Sequence, residues 1–242
     1  MKAGIVGYGR FGKLFVDIFS KYFHFEIYDK TFKLNENEKA TLFKNFTGCE
    51  FIFFAVPISQ LEQSASEIAP YIDHHPLIAD LCSVKEYPIN ILTKIFPNNE
   101  ILGIHPLFGP ESVKVDLNNH QIVLVKENIP SPKTQKLEHI FREESLKIIE
   151  MSAEEHDRQM AWTLCLTQFI GRGLKLLPLS KKQIGTKGYF DLLDIVNRAN
   201  ADTEELFIDM NNYNRFSEEM RKQVIREFTK LNQMLEKEDF SE

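Results

Sequence analysis

The 242-residue chain is poor in the features that mark secreted, membrane-spanning or nucleic-acid-binding proteins. Its three cysteines, Cys49, Cys82 and Cys165, lie far apart, with no Cys-x-x-Cys and no histidine at zinc-finger spacing. Neither a disulfide framework nor a metal site is expected, and the pattern fits a reducing cytoplasm. No apolar run reaches the roughly 18 residues that would read as a membrane span. The first residues lead straight into Lys2-Ala-Gly-Ile-Val6 without a charged leader, so a soluble, unprocessed protein is expected. There is no basic excess either. Lys and Arg number 29 against 35 Asp and Glu, for a formal charge of -6, which argues against nucleic acid or an anionic membrane as the main partner. A local arginine cluster can still hold a small anion. Internal repeats and low-complexity linkers are absent.

What is present is a large apolar fraction, 43%, with 20 phenylalanines and one tryptophan, enough for a well-filled interior. Up to about Met151, short apolar runs alternate with amphipathic stretches, as in a parallel sheet covered by helices. Strands are expected at 2–6, 24–28, 50–55, 77–80, 100–104, 121–125 and 146–150. Runs such as Phe51-Ile-Phe-Phe-Ala55 are apolar at successive positions, as strands buried on both faces are. Ser152-Ala-Glu-Glu155 then forms a capping box that starts a helix and marks a domain boundary. Everything beyond it reads as helical. Its closing segment, roughly 203–237, carries Leu206, Met210, Met220, Val224, Phe228, Leu231 and Leu235 on one stripe. Such a stripe is more often core than partner contact.

Gly7-Tyr8-Gly9-Arg10-Phe11-Gly12 is G-x-G-x-x-G between a strand and a helix with Phe15, Val16 and Phe19 on its apolar face. The first glycine allows a tight turn, the second lets backbone approach a pyrophosphate, and the third lets helix and strand pack closely. Asp29 ends the next strand, about 20 residues on, where an acidic group bonds both ribose hydroxyls. A carboxylate there repels a 2′-phosphate, so NAD is favoured, with Lys30 softening the exclusion of NADP. Ala55-Val56-Pro57, at the end of strand 50–55, would line the cofactor cleft at the switch point. The fold class is therefore α/β: a Rossmann-type, mostly parallel N-terminal domain over 1–151, followed by an all-α domain over 152–242. A glycine-rich turn with a merely surface-exposed Asp29 is the plainer alternative.

His105 follows the run Glu100-Ile-Leu-Gly-Ile104 and precedes Pro106, which pushes it toward extended geometry and aims its ring from the carboxyl end of a strand. Asp80-Leu-Cys-Ser-Val-Lys85 ends another strand on the same edge, bringing the Ser83 hydroxyl and the Lys85 ammonium into the cleft. Such an imidazole can take a hydroxyl proton as hydride leaves for nicotinamide, with Ser83 holding the alcohol or the ring. Two plainer roles stay open: a structural imidazole for His105, and a helix N-cap for Ser83.

On these residues, and on Phe54-Ala-Val-Pro57, His105-Pro-Leu-Phe-Gly-Pro-Glu-Ser112, Ala153-Glu-Glu-His-Asp157, Thr186-Lys-Gly-Tyr189 and Leu192-Leu-Asp-Ile-Val196, the chain resembles the prephenate and arogenate dehydrogenase family of tyrosine biosynthesis. The stretches around His105 and Thr186 look most like the arogenate-type branch. The resemblance implies NAD-dependent oxidative decarboxylation of a cyclohexadienol, with His105 as the catalytic histidine and Ser83 assisting it. It implies that Arg198, upstream of the aromatic Phe207, binds the ring carboxylate, for which guanidinium geometry is suited. Arg172 falls near the substrate in arogenate-type relatives, with an ion-pair role as its alternative. Glu111 and Ser112 fall beside the substrate or a dimer interface, with turn roles as alternatives. His156 and Asp157 match a His-Asp pair that is partly structural. The resemblance also moves the apolar stripe toward a homodimer of helical domains.

Two departures blur the choice of substrate. Gln168 stands where many relatives carry a second substrate-facing histidine, and glutamine cannot carry charge. Arginine at 198 is a feature of prephenate enzymes, so the chain mixes both branches. Other readings remain: a two-domain hydroxy-acid dehydrogenase or imine reductase, for which Lys187 is the nearest lysine on the helical domain, and a non-catalytic dinucleotide-sensing protein. With 242 residues, neither a fused mutase nor a separate regulatory domain is expected, and any feedback is expected to act at the active site.

Overall fold

In the computed structural model, which describes residues 1–72, 75–113, 116–126 and 131–237, the chain divides into two units, Met1–His156 and Asp157–Glu242. The division falls inside the helix that the capping box opens, a few residues beyond Met151. The first unit is built on a seven-stranded sheet of order β2-β1-β3-β4-β5-β6-β7. Its strands are β1 (Lys2–Val6), β2 (His24–Tyr28), β3 (Phe51–Phe54), β4 (Leu77–Asp80), β5 (Ile101–Pro106), β6 (Gln121–Lys126) and β7 (Lys147–Glu150). All seven expected strands are present. Every neighbouring pair is parallel except β5 and β6, which run antiparallel with His105 opposite Val123. Among the described residues, the α-helices that accompany them are α1 (Arg10–Phe19), α2 (Glu36–Lys44), α3 (Leu61–Ile68), α4 (Glu86–Ile95) and α5 (Pro132–Glu143).

Phenylalanine explains how the sheet is covered. All four residues of β3 are buried. Phe51 and Phe53 alternate with Ile52 and Phe54, so the strand presents rings to both faces. On one face, Phe15 and Phe19 of α1 join Phe53 and Phe23, with Phe15 and Phe53 centred 4.9 Å apart and Phe15 and Phe19 4.6 Å apart. On the other, Phe54 meets Phe96. Each such side chain contributes roughly 1.5–3 kcal/mol by burial. The chain leaves β1 for β2 on one side and returns to β3 on the other, which creates a switch point above the carboxyl ends of β1 and β3.

Helix α6 (Ala153–Met160) begins at Ser152, whose Oγ accepts from the Glu155 amide at 3.2 Å. A π-helical turn, Ala161–Cys165, continues it into α7 (Leu166–Lys175), followed by α8 (Lys187–Ala199), α9 (Glu204–Asn212) and α10 (Ser217–Lys237). No strand occurs among the described residues beyond Glu150. Thr186 and Thr203 cap α8 and α9 with their hydroxyls. A Cβ on Gly171 would come 2.4 Å from the Ala199 Cβ, so α7 and α8 pack closely only because position 171 is glycine.

The closing segment 203–237, read as helical with one apolar stripe, consists of α9 and α10. It breaks between Asn212 and Ser217 because buried Asn214 turns its side chain on the backbone, donating to the Asp157 carbonyl at 2.7 Å and accepting from the Phe216 amide at 3.0 Å. Nor is the stripe wholly core: Met210 and Met220 are buried, but Phe228, Leu231 and Leu235 of α10 are exposed, Phe228 by 62% and Leu235 by 66%. No described helix is long and apolar enough to cross a membrane.

Candidate active site

The carboxyl edge of the sheet in the first unit gathers the glycine turn after β1, Ala55-Val56-Pro57 after β3, Ser83 after β4 and His105 near the end of β5. At the glycine turn, Gly7 has φ +101°, and a Cβ there would sit 2.4 Å from the Ala55 carbonyl oxygen. A Cβ on Gly12 would come 2.2 Å from the Gly7 oxygen, so α1 lies directly on the turn. Gly9 differs: a Cβ would meet nothing within 4 Å. The protein's own packing does not demand glycine at 9, whereas close backbone approach by a phosphate does. Gly9 is also the N-cap of α1 and makes no side-chain capping bond.

Asp29, just past β2, accepts from the Tyr8 amide at 2.6 Å and from the Thr31 amide and hydroxyl at 2.8 and 2.6 Å. Burial pushes its carboxyl up, but these bonds and the Lys30 charge outweigh burial and hold it below its usual range. It therefore stands beside the glycine turn as a fixed anion. Arg10 on the turn pairs with Glu111 of the loop after β5, and the Phe11 ring lies 6.4 Å from that of Phe108 on the same loop. Glycine turn and His105 loop are thus tied to each other. Ser112 closes a local turn on Gly109.

Lys85 is not in the cleft. It is wholly buried, pairing with Asp80 and donating to the Ile104 carbonyl at 2.9 Å. A buried ammonium needs such partners, and the carboxylate at the end of β4 supplies one. Lys85 also occupies the N-cap position of α4, without a side-chain capping bond. Ser83 is therefore not the cap. Its hydroxyl oxygen is buried without a hydrogen-bond partner among the described residues, a state that costs about 1–3 kcal/mol unless a ligand relieves it.

His105 is only 6% exposed, and its Nδ1 lies 2.8 Å from Nε2 of His156 at the start of α6. The rings meet edge-on, with centroids 5.0 Å apart. Burial above all, then His156 and the Lys85 charge, pushes the His105 pKa well below 6.5. Burial and Lys85 push His156 down to about 3. Both rings are neutral near pH 7. Nε2 of His105 has no hydrogen-bond partner among the described residues, leaving one ring nitrogen for chemistry. Sequence reading placed His156 in a partly structural His-Asp pair but did not foresee its contact with His105. The available signal was a histidine in the first turn after a capping box.

The remaining candidates lie in the second unit. Arg198, in the last turn of α8, is exposed and makes one hydrogen bond, from Nε to the Asp194 carbonyl at 3.3 Å. Arg172 is more engaged: Nε donates to Gln168 at 3.2 Å, Nη2 to the Asp202 and Thr203 carbonyls at 2.7 and 3.0 Å, and its guanidinium covers the Phe207 ring. Gln168 donates in turn to Asp202 at 2.6 Å. Gln168 and Arg172 thus knit α7 to the α8–α9 loop. Lys187, 87% exposed, pairs with Asp191 one turn along α8. No cluster of His, Cys, Asp or Glu able to hold a metal occurs among the described residues.

Residues 27–150 match the family model described as prephenate dehydrogenase, nucleotide-binding domain, and residues 174–242 match the one described as TYRAAT1-like, C-terminal domain. Arogenate dehydrogenase 1, chloroplastic, of Arabidopsis thaliana is 32% identical over 230 residues, covering 88% of this chain and 36% of that protein. Arogenate dehydrogenase 2, chloroplastic, of the same plant is 37% identical over 144 residues, covering 57% and 40%. The chain therefore spans well under half the length of these relatives. Among solved structures, prephenate dehydrogenase from A. aeolicus, in complex with hydroxyphenyl propionate and NAD+, matches with a TM-score of 0.73 at 17% identity, over 100% of this chain and 92% of that one. That likeness is one of fold.

Proposed function

Because this chain belongs to the prephenate dehydrogenase family, we propose that it catalyses NAD-dependent oxidative decarboxylation of a cyclohexadienyl substrate, prephenate or arogenate, to 4-hydroxyphenylpyruvate or tyrosine. One observation carries the reading: a neutral imidazole, His105, and a buried, unpartnered hydroxyl, Ser83, end adjacent strands on the sheet edge that bears the dinucleotide turn.

Gly7, Gly9 and Gly12, with the amides of Arg10 and Phe11 at the start of α1, fit a pyrophosphate, and the anionic Asp29 fits a ribose diol. Ala55, Val56 and Pro57 line the same cleft. The carboxylate favours NAD over NADP. Once bound, nicotinamide accepts a hydride; the residues do the rest. Ser83 orients the substrate hydroxyl, and Nε2 of His105 takes its proton as the carbinol C–H bond breaks. The ring carboxyl then leaves as CO2, its bonding pair completes the aromatic ring, and the proton on His105 returns to the oxygen left as phenolate. Burial and Lys85 make His105 a weak base in the free protein. The negative charge of the substrate raises its basicity in the complex. Alignment of reacting groups supplies several kcal/mol more.

Arg198, with both Nη groups unengaged among the described residues, is the group we assign to the ring carboxylate. On this reading Gln168 and Arg172 brace the loop that follows Arg198. In the same reading Glu111 acts through Arg10, and Lys187, on the same helix as Arg198, is a further candidate for substrate contact. The second unit, on this reading, binds substrate and pairs with a second copy through the exposed stripe of α10. The three buried, free cysteines suit a reducing compartment such as the cytoplasm. The rival reductase reading rests on Lys187, and no observation beyond its exposure favours it.

The test is product analysis. Incubation with NAD and either prephenate or arogenate should yield NADH, CO2 and the aromatic product in equal amounts. Failure to turn over both substrates would overturn the proposal.

A further inference from the structure

We propose that His156 is a positioning residue for this reaction: its Nε2 accepts the proton on His105 Nδ1 and so keeps His105 in the tautomer whose Nε2 lone pair faces the substrate hydroxyl. The inference rests on the reading of His105 as the base.

Two neutral imidazoles whose nitrogens lie 2.8 Å apart share one hydrogen, so one donates and the other accepts. If His156 donated, His105 would carry its proton on Nε2 and could not act as a base. That proton would also be a donor without a partner among the described residues, on a ring only 6% exposed. The reverse arrangement leaves the lone pair where chemistry needs it. His156 is suited to the task because it cannot swing away: it is wholly buried in the first turn of α6, whose start the Ser152 hydroxyl fixes. Lys85 pins the carbonyl of Ile104, the residue before His105. The base is thus held through its backbone on one side and its ring on the other. A carboxylate usually orients a catalytic histidine in this way; here a second histidine occupies that place.

The test combines 15N NMR of histidine-labelled protein without substrate with steady-state kinetics, on wild type, His156→Phe and His156→Gln. Wild type should show His105 protonated at Nδ1. In His156→Phe the proton should move to Nε2, with kcat falling about 100-fold or more while KM and NAD affinity change less than about 3-fold. In His156→Gln the amide oxygen can accept, so the Nδ1–H tautomer should persist and most of kcat should return. An active wild type with His105 protonated at Nε2, or a His156→Phe variant with unchanged tautomer and kcat, would overturn the positioning role alone. A wild type inactive on both substrates would overturn the dehydrogenase reading and the role with it. Should His156→Phe fail to fold, the wild-type tautomer and the His156→Gln variant still decide.

Discussion

Lowering the pH from 7 to 5 should strip stability from this protein through its two buried histidines, well above the range where carboxylates titrate. The His156 pKa falls from 6.5 to about 3 on folding, chiefly through burial. Between those values the unfolded chain binds a proton that the folded chain refuses, so stability is fully present above about pH 6.5 and falls as pH drops toward 3. At about 1.4 kcal/mol per pH unit, His156 alone accounts for about 2 kcal/mol between pH 7 and 5. His105, shifted in the same direction, adds to that loss. Asp29, Glu67 and Glu138, held below their usual range, lose their contributions only as pH falls below about 4.5. The window from 7 to 5 therefore isolates the imidazoles. Urea unfolding followed by circular dichroism at both pH values, in wild type and His156→Gln, should show a wild-type loss of about 2 kcal/mol or more and a markedly smaller loss in the variant. Equal stability at pH 7 and 5 in wild type would refute the claim that these rings are buried and neutral.

Lys85→Met should destabilise the protein by about 3–5 kcal/mol by stranding the Asp80 carboxylate, and adding Asp80→Asn should recover much of that; urea midpoints of the single and double variants check it. Arg198→Ala should raise KM for prephenate or arogenate about 10- to 100-fold with little change in kcat, as lost carboxylate binding does; unchanged saturation curves would remove Arg198 from the site. Asp29→Ser should erode the preference for NAD over NADP about 10-fold or more, read from the ratio of kcat/KM values for the two cofactors. Phe228→Asp combined with Leu235→Asp should halve the solution mass measured by sedimentation, and a wild-type monomer would dispose of the dimer through α10.

The parallel core was legible because strands such as Phe51–Phe54, buried on both faces, are apolar at every position, and the glycine turn was legible because its spacing carries a physical reason at each glycine: close packing at Gly7 and Gly12 and room for a phosphate at Gly9. Lys85 was misplaced for a reason equally physical. Sequence puts it beyond β4 but cannot say that its ammonium turns inward to Asp80 and the Ile104 carbonyl. The contact of His105 with His156 spans 51 residues, so no local pattern announces it. The break before α10 depends on one buried amide, Asn214, reaching the Asp157 carbonyl, a long-range contact that the apolar stripe does not reveal. Likewise, periodicity shows that a stripe exists on α10 but not whether its own chain covers it.

His105, the base proposed here, sits within a strand, laddered against Val123 and its neighbours on β6, and not on a loop. Such a residue has little freedom to travel when ligand arrives, since moving it would tear backbone hydrogen bonds in the middle of a sheet. As the proposed proton acceptor it is a fixed landmark, to which a bound ring would have to be delivered. Divergence toward a new substrate would accordingly leave position 105 where it is and rework the groups that carry the ring to it.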